Sequence, residues 1–232
     1  MEPDDHVLEK YAMQFRHLEL YSHLKLYSEE YSTLPSAAGL FPSLETLSLR
    51  GFLDDGDIGR FRFDLHPILK FLKLTPTLVE CALHGVLMTF DHNVVNEHIV
   101  LPNLTGLKFQ GAVDGQFCHD TLLRHLTLPS LETLTTPFTM TSASDFFLFL
   151  TRSSPPLRKL VIGNGDCRMS CSEWLHLVPS LVYFELFPGE VHVVNELFTT
   201  LAESPSLLPH LQTLRIHDLR SHPLQPAYPS LL

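Results

Sequence analysis

The chain has 232 residues, 44% of them hydrophobic, with 16 Lys and Arg against 26 Asp and Glu and a formal net charge of −10. It is apolar enough to bury a continuous core, and too acidic for a surface that tracks nucleic-acid phosphates or docks on an anionic membrane, since both need a basic stripe. Its longest apolar run, Phe146 to Leu150, is far too short to span a bilayer.

The opening residues, Met1-Glu2-Pro3-Asp4-Asp5, are acidic and lead into no apolar stretch, so no signal peptide is read there. Four cysteines, Cys81, Cys118, Cys167 and Cys171, do not make a disulfide scaffold. Together these features predict a reducing, intracellular setting, cytoplasmic or nuclear. Asn103-Leu104-Thr105 spells a glycosylation acceptor, but it is discounted because it falls inside a predicted strand of a chain read as non-secreted.

The first predicted strand is Phe15-x-x-Leu18-x-Leu20. After it, one phrase, Pro-x-Leu-x-x-Leu-x-Leu, recurs seven times, starting at Pro42, Pro76, Pro102, Pro129, Pro155, Pro179 and Pro209. The first leucines are Leu44, Leu78, Leu104, Leu131, Leu157, Leu181 and Leu211. The middle positions are Leu47, Cys81, Leu107, Leu134, Leu160, Phe184 and Leu214, and the last are Leu49, Leu83, Phe109, Thr136, Ile162, Leu186 and Ile216. Steps between first leucines run from 24 residues (Leu157 to Leu181) to 34 (Leu44 to Leu78). Alternation at period two makes each x-x-Leu-x-Leu a short strand.

The segments between strands read as returns. Gly51 to Arg60, with Asp54, Asp55 and Asp57, is a solvated acidic loop. Helices are predicted over Asp64 to Leu74, over Cys118 to Leu126, and over Asp145 to Thr151 behind the N-cap candidates Ser142 and Ser144. Ser170-Cys171-Ser172-Glu173 has capping-box form before Trp174 and Leu175, and Val193 to Glu203 carries Val194, Leu197, Phe198 and Leu201 at helical spacing. The repeated proline acts as helix stop and strand start. Tyr228-Pro229-Ser230-Leu231-Leu232 opens one more copy, which predicts an array truncated at its C-terminus.

A phrase of this form at this period resembles the leucine-rich-repeat signature, whose usual period is about 20 to 29 residues. The expected fold class is α/β: one leucine-rich-repeat domain over residues 1–232, with about eight tiers in a curved right-handed solenoid. A parallel sheet would line its concave side, with helices on the convex side. Phe15-Arg16-His17-Leu18-Glu19-Leu20, Phe41-Pro42-Ser43-Leu44-Glu45-Thr46-Leu47-Ser48-Leu49, Leu128-Pro129-Ser130-Leu131-Glu132-Thr133-Leu134 and Ser154-Pro155-Pro156-Leu157-Arg158-Lys159-Leu160 are similar to the leucine-rich-repeat regions of F-box-like proteins from mushroom-forming fungi. The resemblance implies substrate recognition for a cullin-RING ubiquitin ligase. The family's F-box, which docks a Skp-type adaptor, would precede the first strand. Only about a dozen residues stand there, so adaptor docking is expected only of a longer product that carries an F-box. The alternative is a free-standing interaction scaffold without a ubiquitin role.

Chemistry is sparse. Cys118-His119-Asp120 are adjacent, and neighbours on a helix point about 100° apart, so they form no nucleophile–base–orienter line. Cys167, Cys171 and His176 match no usual zinc spacing. Gly163-Asn164-Gly165 reads as a turn after a strand rather than a phosphate loop, and no His-Glu-x-x-His phrase occurs among the 14 histidines. The expectation is a non-enzyme with no cofactor or metal.

The residues between the core leucines carry the functional expectation, because alternation sends them to the opposite, concave face. That face would present Thr46, Ser48 and Arg50, then Glu80, Ala82 and His84, then Lys108 and Gln110, then Thr133 and Thr135. Later tiers supply Lys159 and Val161, then Tyr183, Glu185 and Phe187, then Thr213, Arg215 and His217. Aromatic and Arg side chains are enriched at binding hot spots. Lys159, Tyr183, Glu185, Phe187, Arg215 and His217 are therefore the candidate partner-binding residues for a protein or peptide ligand. The bland reading is a solvated sheet face on which Glu185 pairs with Arg215.

Overall fold

The recurring phrase places apolar side chains at three fixed positions, and each does a different job in the computed structural model, which describes residues 14–22, 41–51, 61–84, 86–89, 98–110, 119–139, 143–164, 170–188 and 191–217. In chain order the elements are β1 (His17–Ser22), β2 (Thr46–Gly51), β3 (Phe61–Asp64), α1 (Leu65–Lys73), β4 (Glu80–His84), β5 (Val86–Thr89), β6 (Ile99–Val100) and β7 (Gly106–Gln110). There follow α2 (His119–His125), β8 (Leu126–Thr127), β9 (Thr133–Thr139), α3 (Ala143–Ser153), β10 (Lys159–Asn164), α4 (Cys171–Trp174), a 3-10 turn (Leu175–Leu177), β11 (Tyr183–Pro188), α5 (Val191–Glu203) and β12 (Thr213–Ile216).

Eight strands form one sheet in the order β1-β2-β4-β7-β9-β10-β11-β12, which is chain order, and every pairing in it is parallel. Two small parallel pairs, β3 with β5 and β6 with β8, lie in the returns. The fold is therefore α/β with a parallel sheet, and the eight strands agree with the number of repeats read from the sequence.

The middle positions register as one continuous row: Leu18, Leu47, Cys81, Leu107, Leu134, Leu160, Phe184 and Leu214. From Leu47 to Phe184 this row is buried, and Cys81 occupies it as a small hydrophobe, 2% exposed. The first leucines from Leu44 to Leu181 lie fully buried beneath the strand starts and share one apolar cluster with the helices.

The strands are joined by a repeated backbone device. The carbonyl just before each strand accepts two N–H groups from the next unit. Arg16 O takes Glu45 and Thr46, Glu45 O takes Val79 and Glu80, and Val79 O takes Thr105 and Gly106. The same pattern continues at the Thr105, Glu132, Arg158 and Val182 carbonyls. Each of these carbonyls is thus paired at the entry to the sheet, as backbone acceptors in a stack of parallel strands need to be.

The proline acts as a turn former. Each leucine N–H at the third motif position bonds back across the proline: Leu44 to Phe41, Leu78 to Thr75, Leu104 to Leu101, Leu131 to Leu128, Leu181 to Val178 and Leu211 to Leu208. Proline occupies the second turn position, where its fixed φ is favourable. It does not itself end the helix: Leu74 and Thr75 separate α1 from Pro76. At Pro155-Pro156 the bond shortens to Leu157 N to Pro155 O. The unit before it ends in Ser154, at φ 41°, whose N–H caps Leu150 O.

The helix expectations mostly hold, with local corrections. Helix α3 begins at Ala143, so Ser144 lies inside its first turn and is no N-cap, while Ser142 falls outside the described residues. Ser170 sits at the N-cap of α4 but makes no side-chain cap bond. Its hydroxyl instead donates to Glu196 Oε1 on α5 at 2.5 Å, so the capping box is replaced by an inter-helix tie. On α5 the buried face is Val193 and Leu197; Val194 and Leu201 are half-buried, and Phe198 is 53% exposed. Gly163 and Asn164 end β10 and do not form a turn after it. Gly51, expected to open the acidic loop, is the last residue of β2, and residues 52–60 and the C-terminal partial copy lie outside the described residues.

Successive helices are locked to one another. α2 packs on α3, α3 on α4, and α4 on α5. Arg124 on α2 forms a fork with Asp145 on α3, Nε to Oδ1 at 3.2 Å and the second nitrogen to Oδ2 at 2.6 Å. Trp174 stands edge-on between Phe146 (5.5 Å) and Phe184 (5.9 Å), which fixes α4 against both α3 and the sheet.

Candidate recognition face

With the leucine rows buried on one side, the alternate strand residues fall on the other side of the sheet, and two rows of them cross all eight strands. One row runs His17, Thr46, Glu80, Gly106, Thr133, Lys159, Tyr183, Thr213. The next runs Glu19, Ser48, Ala82, Lys108, Thr135, Val161, Glu185, Arg215. The face divides into two differently furnished ends, with half-buried Thr133 and Thr135 and the nearly buried Val161 (7% exposed) between them.

At the β10–β12 end, five of the six residues expected to bind a partner are tied into one cluster around Tyr183 and Glu185. Lys159 Nζ lies 5.0 Å from the Tyr183 ring centroid and the Arg215 guanidinium 5.5 Å from it, so one ring carries cations from both neighbouring strands. The Tyr183 hydroxyl donates to Glu185 Oε2, and His217 Nε2 donates to Glu185 Oε1 at 2.6 Å. The sixth residue, Phe187, joins through His217: the two rings stack at 3.9 Å with planes 5° apart.

Arg215 is the register partner of Glu185, as expected, but the carboxylate is held by Tyr183 and His217. Arg215 is left to lie along the tyrosine. The charges respond to this arrangement. Burial alone would raise the Glu185 carboxyl, but the hydrogen bonds from Tyr183 and His217, with the charges of His217 and Arg215, bring it below its ordinary value. The bond to Glu185, followed by burial, pushes the Tyr183 phenol up.

At the β1–β7 end the sequence suggested no site. Here small outward residues, Ser48, Ala82 and Gly106, leave a recess of about 450 Å3. Arg50 pairs with Glu19 at 2.7 Å, and His17 Nδ1 and Thr46 Oγ1 are hydrogen-bonded at 2.5 Å. Burial, followed by the Arg50 charge, lowers the His84 imidazole, with Lys108 adding to this and Glu19 opposing it. The available signal was the coincidence of Ala82 and Gly106 at outward positions of adjacent strands, which shows only once the register is known.

Cys118 and Cys167 lie outside the described residues, and His119 and Asp120 open α2. Cys171 is buried, its thiol pushed up to about 12 by burial and by Glu196, whereas His176 is exposed and faces Phe147. Among the described residues no three His, Cys, Asp or Glu side chains gather as metal donors, and no helix is long and apolar enough to cross a membrane. No protein-family profile matches the chain, and no curated protein matches it.

Proposed function

We propose that the chain is a leucine-rich-repeat solenoid whose open sheet face is the concave surface of a protein-binding module. The observation that carries this reading is the Tyr183 cluster: an aromatic ring flanked by Lys159 and Arg215 on a face whose underside is a continuous apolar row. A half-buried aromatic offers contact area at small entropy cost, and flanking cations set register on a peptide or protein. The sequence phrases that resemble fungal F-box-like proteins favour, within that class, the substrate-recognition part of an F-box-type ubiquitin-ligase receptor. A Skp-type adaptor would be engaged only through an F-box in a longer product.

Affinity capture with the intact chain, run beside a Tyr183→Ala/Arg215→Ala variant and read by mass spectrometry, tests the reading. Proteins held by the wild type and lost by the variant support it. Their ubiquitylation in a manner that depends on this protein favours the ligase role, and stable partners without ubiquitylation favour the free-standing scaffold. Equal retention by both proteins removes the proposed face.

A further inference from the structure

The hollow at the β1–β7 end follows from the residue grid. Ala82 projects from β4 between Ser48 on β2 and Lys108 on β7, and Gly106 lies beside Glu80 in the adjacent row. Three neighbouring positions thus carry a hydroxymethyl, a methyl and a hydrogen, where the β10–β12 end carries Tyr183, Glu185 and Arg215. The opening of about 450 Å3 is within the range of ligand pockets. The Ser48 hydroxyl on its wall has no hydrogen-bond partner.

Charge is distributed unevenly around this recess. Glu80 and His84 stand four residues apart on β4, about 13 Å along the strand. Arg50 on β2 is the register partner of His84, and Lys108 on β7 stands one row from it. Glu19 reaches in from β1 and is bound to Arg50. The His84 end is therefore the cationic end, and Glu80 marks the other.

We infer that this recess takes the carboxylate of an acidic side chain on an extended partner segment, seated over Ala82 and held by Lys108, Arg50 and His84. Glu19 is already paired with Arg50 and Glu80 lines the same recess, so the cations left, Lys108 foremost, match one negative charge better than the nearly two of a phosphate. An anion settling there would stabilise the charged imidazole of His84, which burial, Arg50 and Lys108 otherwise oppose. Binding is then accompanied by proton uptake and tightens as pH falls toward the imidazole range.

The inference rests on reading the open face as a peptide-binding surface, and it adds a second contact to that surface. Four strand spacings separate β4 from β11 in the sheet, about 19 Å. An extended peptide crossing the strands covers that distance in about six residues. The preferred ligand therefore carries an acidic residue about six positions from the residue that meets Tyr183.

The test is an NMR titration of the full chain with three probes: the blocked peptide acetyl-Gly-Glu-Gly-amide, its Gln analogue and inorganic phosphate. The Glu peptide is expected to move the His84 ring signals and raise the pH at which they titrate, and to bind at least about fivefold more tightly than the Gln peptide. Lys108→Ala should reduce it to the level of the Gln peptide, Ala82→Leu should abolish binding, and Lys70→Ala on α1 should change nothing. If Ala82→Leu disturbs the fold, Lys108→Ala, at an exposed position, decides. Equal binding of the two peptides, binding of neither, or indifference to Lys108→Ala overturns the inference, and tighter binding of phosphate than of the Glu peptide overturns its choice of ligand. Such a failure, with captured partners still lost on Tyr183→Ala/Arg215→Ala, removes the recess alone and leaves the binding-module reading standing.

Discussion

Arg152, at the end of α3, donates to the carbonyl oxygen of Leu126, at the end of the preceding unit, through both Nε (3.3 Å) and a terminal nitrogen (2.6 Å). The same guanidinium reaches Leu123 O at 2.8 Å and Thr127 Oγ1 at 3.1 Å. One side chain thus binds a carbonyl in the last turn of α2 and another at the start of β8, and staples two units together. As a helical-side residue remote from the open face, Arg152 would look in sequence like a neutral position to truncate. The geometry gives it a structural task.

Arg152→Ala is therefore expected to destabilise the chain by about 2 to 3 kcal/mol, from the loss of charge-assisted hydrogen bonds to the Leu123 and Leu126 carbonyls. Arg152→Lys should recover only part of this, because an ammonium cannot span the Leu123 and Leu126 carbonyls as a planar fork does. Chemical denaturation of the three proteins measures it, and equal midpoints would contradict it.

Leu134 and Leu160 lie side by side in the buried row, each 0% exposed. Leu134→Asp or Leu160→Asp should cost about 4 kcal/mol or more, since an unpaired carboxyl is placed between units that share one core. Circular dichroism melts should show cooperative loss of several units. A melt within a degree or two of wild type would show that the row is not a core.

Much of the fold was legible because its determinant is periodic. The leucine spacing gave the eight strands of the main sheet and the buried row, though not the short pairs β3–β5 and β6–β8, and even Cys81 reads correctly as a leucine substitute. Capping was less legible: Ser170 has the right neighbours for a capping box but is bound to Glu196, a residue of the next helix that no local pattern reveals. The composition of the open sheet face was legible residue by residue, since strand alternation names Lys159, Tyr183 and Arg215. Their mutual arrangement was not. That Glu185 chooses Tyr183 and His217 over its register partner Arg215 depends on side-chain reach, and the recess at Ala82 and Gly106 depends on register between units.

Two thiols should be inert in the folded protein. Burial pushes Cys81 and Cys171 up to about 12, with Glu196 adding to the effect at Cys171. Alkylation near neutral pH followed by peptide mapping should leave both unmodified until denaturant unfolds the chain. Rapid labelling of either in the native state would show that its surroundings open.

Glu185 should make stability depend on acid. Its folded carboxyl titrates below the ordinary 4.5, so the unfolded chain binds its proton first as pH falls. The stabilisation is fully present above that ordinary value and disappears as pH drops through the depressed one. The stability gap between wild type and Glu185→Gln should therefore be constant at neutral pH and close as pH falls through the depressed value of the folded carboxyl. A gap that persists unchanged into acid would mean that the carboxylate gains nothing from Tyr183 and His217.

The central claim is that the open face recognises a partner through the ring of Tyr183 and its flanking cations. The most direct measurement is the affinity of a captured partner for wild type, Tyr183→Ala, Arg215→Ala and, as a remote control, Lys70→Ala, each with its thermal melt. The account predicts that each of the two face substitutions weakens binding about tenfold while the protein stays cooperatively folded, that Tyr183→Ala lowers the melting temperature only by the lost bond to Glu185, and that Lys70→Ala changes neither binding nor melt. Undiminished affinity for both face variants would contradict it and would place the binding surface elsewhere on the chain.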